Sequence, residues 1–324
     1  MRYRQLGASG LRVSEIALGS WLTYGGSVAD SAAQACIERA YELGINLFDT
    51  ANAYRRGGAE QLLGRALARY PRDSLVVATK VYFPMGEGPN DRGLSRKHIT
   101  EQCNQSLRRL GMDYVDLYQC HRPDPEVPLE ETLRALDDLV RAGKVLYVGV
   151  SEWGAELLEE AHAIADRRLL DKLVSNQPQY SMLWRKIEHE VIPISEQLGI
   201  GQVVWSPLAQ GVLSGKYAPG EQPPSGSRAA HESDANFMRA FMRDEVLASV
   251  QALRPIADEL SISMAQLALA WVLRQDNVAS AIVGASRPEQ VDDNAAASSV
   301  ELDGDVLGRI DAALDPALRV IEQG

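Results

Sequence analysis

Cysteine is scarce and unpatterned: Cys36, Cys103 and Cys120 are the only three in 324 residues, and no two form a C-x-x-C pair. An odd, scattered set excludes a disulfide framework and a structural zinc site, and it suits a reducing cytoplasm. Basic residues are also in short supply. Lys and Arg total 33 against 44 Asp and Glu, a formal net charge of −11, so a nucleic-acid backbone would be repelled overall. Long apolar runs are missing as well; the longest stretch, near 264–273, is interrupted by Gln266, and the N-terminus MRYRQLGASGLRVSE is polar from the start. Neither a secretion signal nor a membrane span is therefore expected, and a cytoplasmic location is. His98, His162, His189 and His231 stand at no metal-ligand spacing, so no metal site is expected.

What is present is a rhythm. Short β-branched runs at 16–19, 45–49, 75–80, 114–119, 145–150, 173–175, 202–205 and 281–283 alternate with amphipathic stretches at 31–43, 59–68, 96–110, 129–142, 155–166 and 186–198. Eight βα units of about 40 residues each predict one (β/α)8 TIM barrel domain over 1–324. The rival, a doubly wound open sheet, lacks its G-x-G-x-x-G after the first strand. YRQLGASGLRVS reads as an N-terminal β-hairpin able to close the barrel bottom, and Ser31 and Ser95 are candidate helix N-caps. Long loops rich in Gly and Pro, 83–94 and 217–236, follow strand ends and so belong to the C-terminal face.

Polar residues recur at those ends: Asp49, Lys80, His121, Ser151, Gln177, Ser206 and Ser286, each on a different unit. In a barrel such ends converge on one mouth. At the tops of neighbouring strands Lys80 is expensive to bury unless Asp49 neutralises it, and the two alone would read as a structural ion pair; Tyr54 alters that balance, since a nearby ammonium stabilises its phenolate and lowers its pKa. His121 completes a set able to hold a carbonyl oxygen against a phenol. Cys120 beside His121 is no dyad, because adjacent strand residues face opposite sides.

The stretches GINLFDTANAYRRGGAEQLLG, VVATKV, YVDLYQCHRPD and KVLYVGVSEW resemble the aldo-keto reductases, and VVWSPLAQGVLSGKY with IVGASRPEQVDDN is most similar to their potassium-channel β-subunit-like branch and its bacterial relatives. The resemblance runs through essentially the whole chain. It implies a barrel that binds NADP(H) across its C-terminal mouth without a Rossmann fold, and a catalytic tetrad on Asp49, Tyr54, Lys80 and His121. Tyr54 would be the general acid and base, Lys80 held by Asp49 would lower its pKa, and His121 would orient the carbonyl.

The same resemblance implies the cofactor contacts. Ser20, Trp21, Asp49, Ser151, Glu152 and Gln177 would surround the nicotinamide, and Trp205 would stack on its ring. Ser206, Leu208, Gly211 and Lys216 would line the pyrophosphate, with Arg228 folding over it as part of a lid. Gly284, Ser286, Arg287, Gln290 and Asn294 would hold the adenosine end, where Ser286 and Arg287 argue for a 2′-phosphate and the carboxylates of Asp292 and Asp293 argue mildly against it. Trp21, Tyr24 and Tyr82 would shape the substrate pocket. The expected activity is reversible NADPH-dependent reduction of a small aldehyde or ketone. The alternative is a cofactor-bound redox-sensing or partner-binding subunit with slow turnover, and since channel-subunit relatives form rings, a homo-oligomer is in scope.

Overall fold

A computed structural model describes residues 1–21, 29–224, 227–230 and 238–322. Eight parallel strands close into a barrel: β3 (Ile16–Gly19), β4 (Leu47–Asp49), β5 (Val76–Val81), β6 (Val115–Cys120), β7 (Val145–Val150), β8 (Leu173–Asn176), β9 (Gly201–Val204) and β10 (Val278–Val283), the last pairing with both β9 and β3. The strand crossovers carry α1 (Asp30–Glu42), α2 (Gly58–Leu67), α3 (Arg96–Leu110), α4 (Leu129–Arg141), α5 (Ala155–Arg168) and α6 (Val191–Leu198). Between β9 and β10 come α7 (Asp244–Gln251), α8 (Arg254–Glu259) and α9 (Met264–Leu273), and the chain ends with α10 (Pro288–Ala296) and α11 (Gly304–Glu322). This is the (β/α)8 barrel that the βα rhythm predicts.

Strand alternation decides what reaches the mouth. Ala17, Leu47, Val76, Ala78, Leu117 and Val203 pack together inside the barrel, while Ile16, Leu18, Phe48, Val77, Val81, Tyr118 and Cys120 join the shell under the helices. Two residues beyond an interior position lies another interior position. Asp49 therefore follows Leu47, Lys80 follows Ala78, and His121 follows Leu117 and Gln119, so these polar residues rise from the barrel axis. Cys120 faces outward, fully buried, where burial raises its thiol far above the usual range.

At the other end, β1 (Tyr3–Gln5) and β2 (Arg12–Ser14) pair antiparallel as the expected hairpin, and their Leu6 and Val13 join the interior cluster as its floor. The hairpin tip lies so close to the barrel that a Cβ on Gly7, at φ +56°, would stand 2.3 Å from the Gly199 carbonyl oxygen. Gly199 itself caps α6 in the left-handed conformation.

Local expectations fare unevenly. The Ser95 side chain caps α3 by accepting from the His98 amide, whereas Ser31 lies inside the first turn of α1, whose cap is Ala29. The helix expected over 186–198 splits into a short 3-10 turn, Lys186–Glu188, and α6. Pro193 is the reason: a continuous helix would drive its ring into the residue-189 carbonyl, and it has no N–H to offer. Strand β10 begins three residues earlier than its apolar run suggests, because Ser280 interrupts the pattern but gives its hydroxyl to the Ser14 carbonyl at 2.7 Å. Among the described residues no single helix is long and apolar enough to cross a membrane.

Candidate active site

The mouth is built around a fully buried ammonium. Lys80 Nζ donates to Asp49 Oδ2 at 2.6 Å, to the Thr50 carbonyl at 2.8 Å and to Tyr54 Oη at 3.3 Å, so its three protons meet three acceptors. Tyr54 arrives there because the chain beyond β4 stays paired with β5: the Thr50 and Asn52 amides donate to the Ala78 and Lys80 carbonyls. The turn that follows holds Arg55 and Arg56 at φ +52°, a strained conformation for non-glycine residues. The His121 ring lies 5.6 Å from the Tyr54 ring, edge to face.

A residue that the sequence reading passed over ties α2 to β5 and α3. Glu60, fully buried on α2, accepts from Thr79 Oγ1 on β5 and from Arg109 Nε on α3, both at 2.6 Å. Its only signal in the sequence is a carboxylate on the apolar face shared by Ala59, Leu62 and Leu63. Phe83, Gln119, Gln210 and Arg122 were likewise missed, and each proves to touch a mouth residue.

The electrostatics differ from the simple expectation at Tyr54. Burial pushes the phenol pKa up, Lys80 pulls it down, and the net value stays above that of an ordinary phenol. Burial also opposes the Lys80 charge, but Asp49 and Tyr54 outweigh it and raise the ammonium above its ordinary value. Burial, followed by the positive charges of Lys80 and Arg122, depresses His121 well below a free imidazole. Neutral His121 can hold a carbonyl oxygen as a hydrogen-bond donor without competing for the proton.

The residues expected around a nicotinamide do gather at this mouth. The Ser20 amide donates to the Asp49 carbonyl at 2.9 Å, and the rings of Trp21 and Trp205 meet edge to face with centroids 6.2 Å apart. Ser151 Oγ donates to the Gln177 carbonyl at 2.8 Å, and Gln177 Nε2 donates to Asp49 Oδ1 at 2.9 Å. Glu152 is committed to protein: its Oε1 accepts from Trp205 Nε1 at 2.6 Å and from the Gln179 amide at 2.7 Å. Tyr82 is half-buried against Phe83, and Tyr24 lies outside the described residues.

Further along the face, Ser206 at φ +56° accepts from Gln210 Nε2 at 3.0 Å, and the Gln210 amide oxygen accepts from Arg228, so the three form a chain. Leu208 is half-buried, and exposed Lys216 sits against Gly211, where an added Cβ would stand 3.1 Å from the ammonium. The rest of the 217–236 loop is described only in part. Past β10, the backbone amide and hydroxyl of Ser286 both donate to Gln290 Oε1, beside exposed Gly284 and Arg287 and buried Asn294. The two acids turn away from this face: Asp292 takes Arg39 of α1 through contacts of 2.6 and 2.8 Å, and Asp293 takes Ser263 and Gln266. Arg39 neutralises Asp292, and Asp293 is hydrogen-bonded to neutral donors of α9.

Residues 15–315 match the model of the aldo/keto reductase family. The chain belongs to that family. Curated relatives include probable voltage-gated potassium channel β subunits of Arabidopsis thaliana, 44% identical over 93% of this chain and 92% of the relative, and of Oryza sativa subsp. japonica, 43% identical over 97% of both. A putative voltage-gated potassium channel β subunit of Schizosaccharomyces pombe is 42% identical over 97% of this chain and 93% of its own length. Membership of the aldo/keto reductases implies NAD(P)-dependent oxidoreduction on small carbonyl compounds.

Proposed function

We propose that this aldo/keto reductase reduces aldehydes or ketones to alcohols with NADPH, reversibly, using Tyr54 as general acid for reduction and general base for oxidation. The observation that carries the reading is the Asp49–Lys80–Tyr54 chain of contacts, with His121 edge-on to the phenol. The mouth also fits a cofactor chemically. Ser20 Oγ, Gln119 Nε2 and His121 Nδ1 are buried polar atoms without a hydrogen-bond partner among the described residues, and such atoms call for a ligand or water.

On this reading Ser151, Gln177 and Ser20 would hold a carboxamide, and the Trp205 face would cover the ring and exclude water. Ser206, Gly211, Lys216 and Arg228 would take the phosphates, and Ser286 with Arg287 the 2′-phosphate that separates NADPH from NADH. Bound NADPH supplies the hydride. The protein supplies the proton from Tyr54 Oη, while Lys80 stabilises the charge left on the phenol oxygen and neutral His121 orients the carbonyl oxygen. The test is NADPH consumption over a panel of small carbonyl compounds by the chain and by Tyr54→Phe. Activity should fall by about 10²–10⁴ with NADPH affinity nearly unchanged; an unimpaired variant overturns the assignment.

The relatives' names favour a second reading: a cofactor-bound subunit whose slow turnover reports redox state to a partner. Tight NADPH binding without turnover of any carbonyl, together with a stable complex with a channel protein, would promote it over the first.

A further inference from the structure

Beside His121, Arg122 has no carboxylate within ion-pair distance among the described residues. Lys80 has Asp49, and the Glu152 carboxylate is taken by Trp205 and Gln179. Arg122, half-buried and directly after His121, donates only through Nη1, to the His121 carbonyl at 2.6 Å and to Ser151 Oγ at 3.5 Å. Its Nε and Nη2 have no partner among the described residues, and no carboxylate lies within ion-pair distance. Those two donors form the side-on edge of the guanidinium, the edge a carboxylate fits with two parallel hydrogen bonds.

The guanidinium stands close to the ring that neighbours His121. The Arg122 guanidinium carbon lies 5.8 Å from the centre of the Phe83 ring, and the same ring lies 4.9 Å from the His121 ring. The Phe83 ring thus neighbours both the cation and the imidazole. The positive field of Arg122 reaches both His121 and Tyr54, where it lowers the pKa of each. Keeping a half-buried guanidinium without a counter-charge costs free energy that a bound anion would return.

The geometry points to Arg122 as the anchor for a carboxylate on the substrate, so that the carbonyl compounds this chain prefers are short oxo acids rather than neutral aldehydes or ketones. The inference rests on carbonyl reduction at Tyr54 and names the substrate class of that same site. The carbonyl would sit at Tyr54 and His121, and the carboxylate would cross the edge of Phe83 to the Nε and Nη2 donors of Arg122.

The experiment compares matched pairs, 4-oxobutanoate with butanal and 4-formylbenzoate with 4-methylbenzaldehyde, on the NADPH-loaded protein, Arg122→Ala and Arg122→Gln. In addition, the binding of succinate to the NADP⁺-loaded proteins is measured by titration calorimetry. The unaltered chain should prefer the acid of each pair. Arg122→Ala should raise KM and lower kcat/KM for the acids by about 10- to 100-fold, and change the neutral partners by less than about threefold. Arg122→Gln, which can still donate to the His121 carbonyl, should show the same split, and succinate binding should be lost in both variants. Equal losses for acid and neutral substrates would reduce Arg122 to a support for His121 and overturn the anchor, as would succinate binding that ignores the substitutions. Arg122-dependent succinate binding without turnover of any carbonyl would uphold the anchor and overturn carbonyl reduction instead.

Discussion

Trp205 Nε1 donates a 2.6 Å hydrogen bond to Glu152 Oε1, and Glu152 takes up that position with its backbone in the left-handed region at φ +59°. A glutamate is strained there, and the carboxylate's partners show what it secures: the indole is held at nearly a right angle to the Trp21 ring, 6.2 Å away. On the proposed cofactor site, Glu152 would act through the Trp205 ring.

Replacing Glu152 with Ala should release the indole while the barrel stays folded. NADPH affinity should drop by about 10-fold, the order of one charge-assisted hydrogen bond, with a shift in tryptophan emission in the apoprotein. Glu152→Gln, which keeps a neutral acceptor, should lose less. Unchanged affinity and emission for Glu152→Ala would show that packing alone holds Trp205.

Asp49 and Lys80 form a buried pair whose members depend on each other. Lys80→Met leaves the carboxylate with Gln177 as its remaining side-chain partner and should cost about 3–5 kcal/mol in denaturant unfolding. Adding Asp49→Asn removes the stranded charge, so the double variant should recover much of the stability and none of the activity. Recovery of both together would remove Lys80 from the proton-transfer machinery.

The pH behaviour follows from two shifts with different consequences. Tyr54 is held above an ordinary phenol, near ~10, so the acid form needed for reduction persists across neutral pH. The reduction rate should stay flat from pH ~6 to ~9 and fall only as pH rises through the phenol pKa. His121, depressed below an ordinary imidazole, should leave no inflection near pH ~6.5. Unfolded, however, His121 takes a proton that the folded chain refuses. Stability therefore falls as pH drops below ~6.5, toward the folded-state value. A rate profile with a limb at pH 6–7 would assign His121 the proton instead.

On the NADPH reading, coenzyme choice would turn on Arg287, exposed at the start of α10, since Asp292 and Asp293 are engaged by α1 and α9. Arg287→Ala should weaken NADPH by about 10-fold and leave NADH alone, and Asp292→Ala should not alter the ratio of the two. A strong gain in NADPH affinity on removing Asp292 would return that carboxylate to the phosphate site.

The sequence by itself determined the barrel and the order of its parts, because fully buried strands and amphipathic helices of the right length leave a signal in each local window. Period-2 alternation carried it further: with Leu47, Ala78 and Leu117 inside, Asp49, Lys80 and His121 had to follow them upward. Pro193 was legible as well, and its break in the 186–198 stretch should have been anticipated. Other features depend on residues far apart in the chain. Glu60 reads as an ordinary helix carboxylate until the fold brings Thr79 and Arg109 to it. Asp292 and Asp293 look like obstacles to a phosphate until Arg39 and Gln266 arrive from other helices. The free edge of Arg122 and the net direction of the Tyr54 shift likewise rest on distance, burial and the balance of charges, which one-dimensional spacing does not contain.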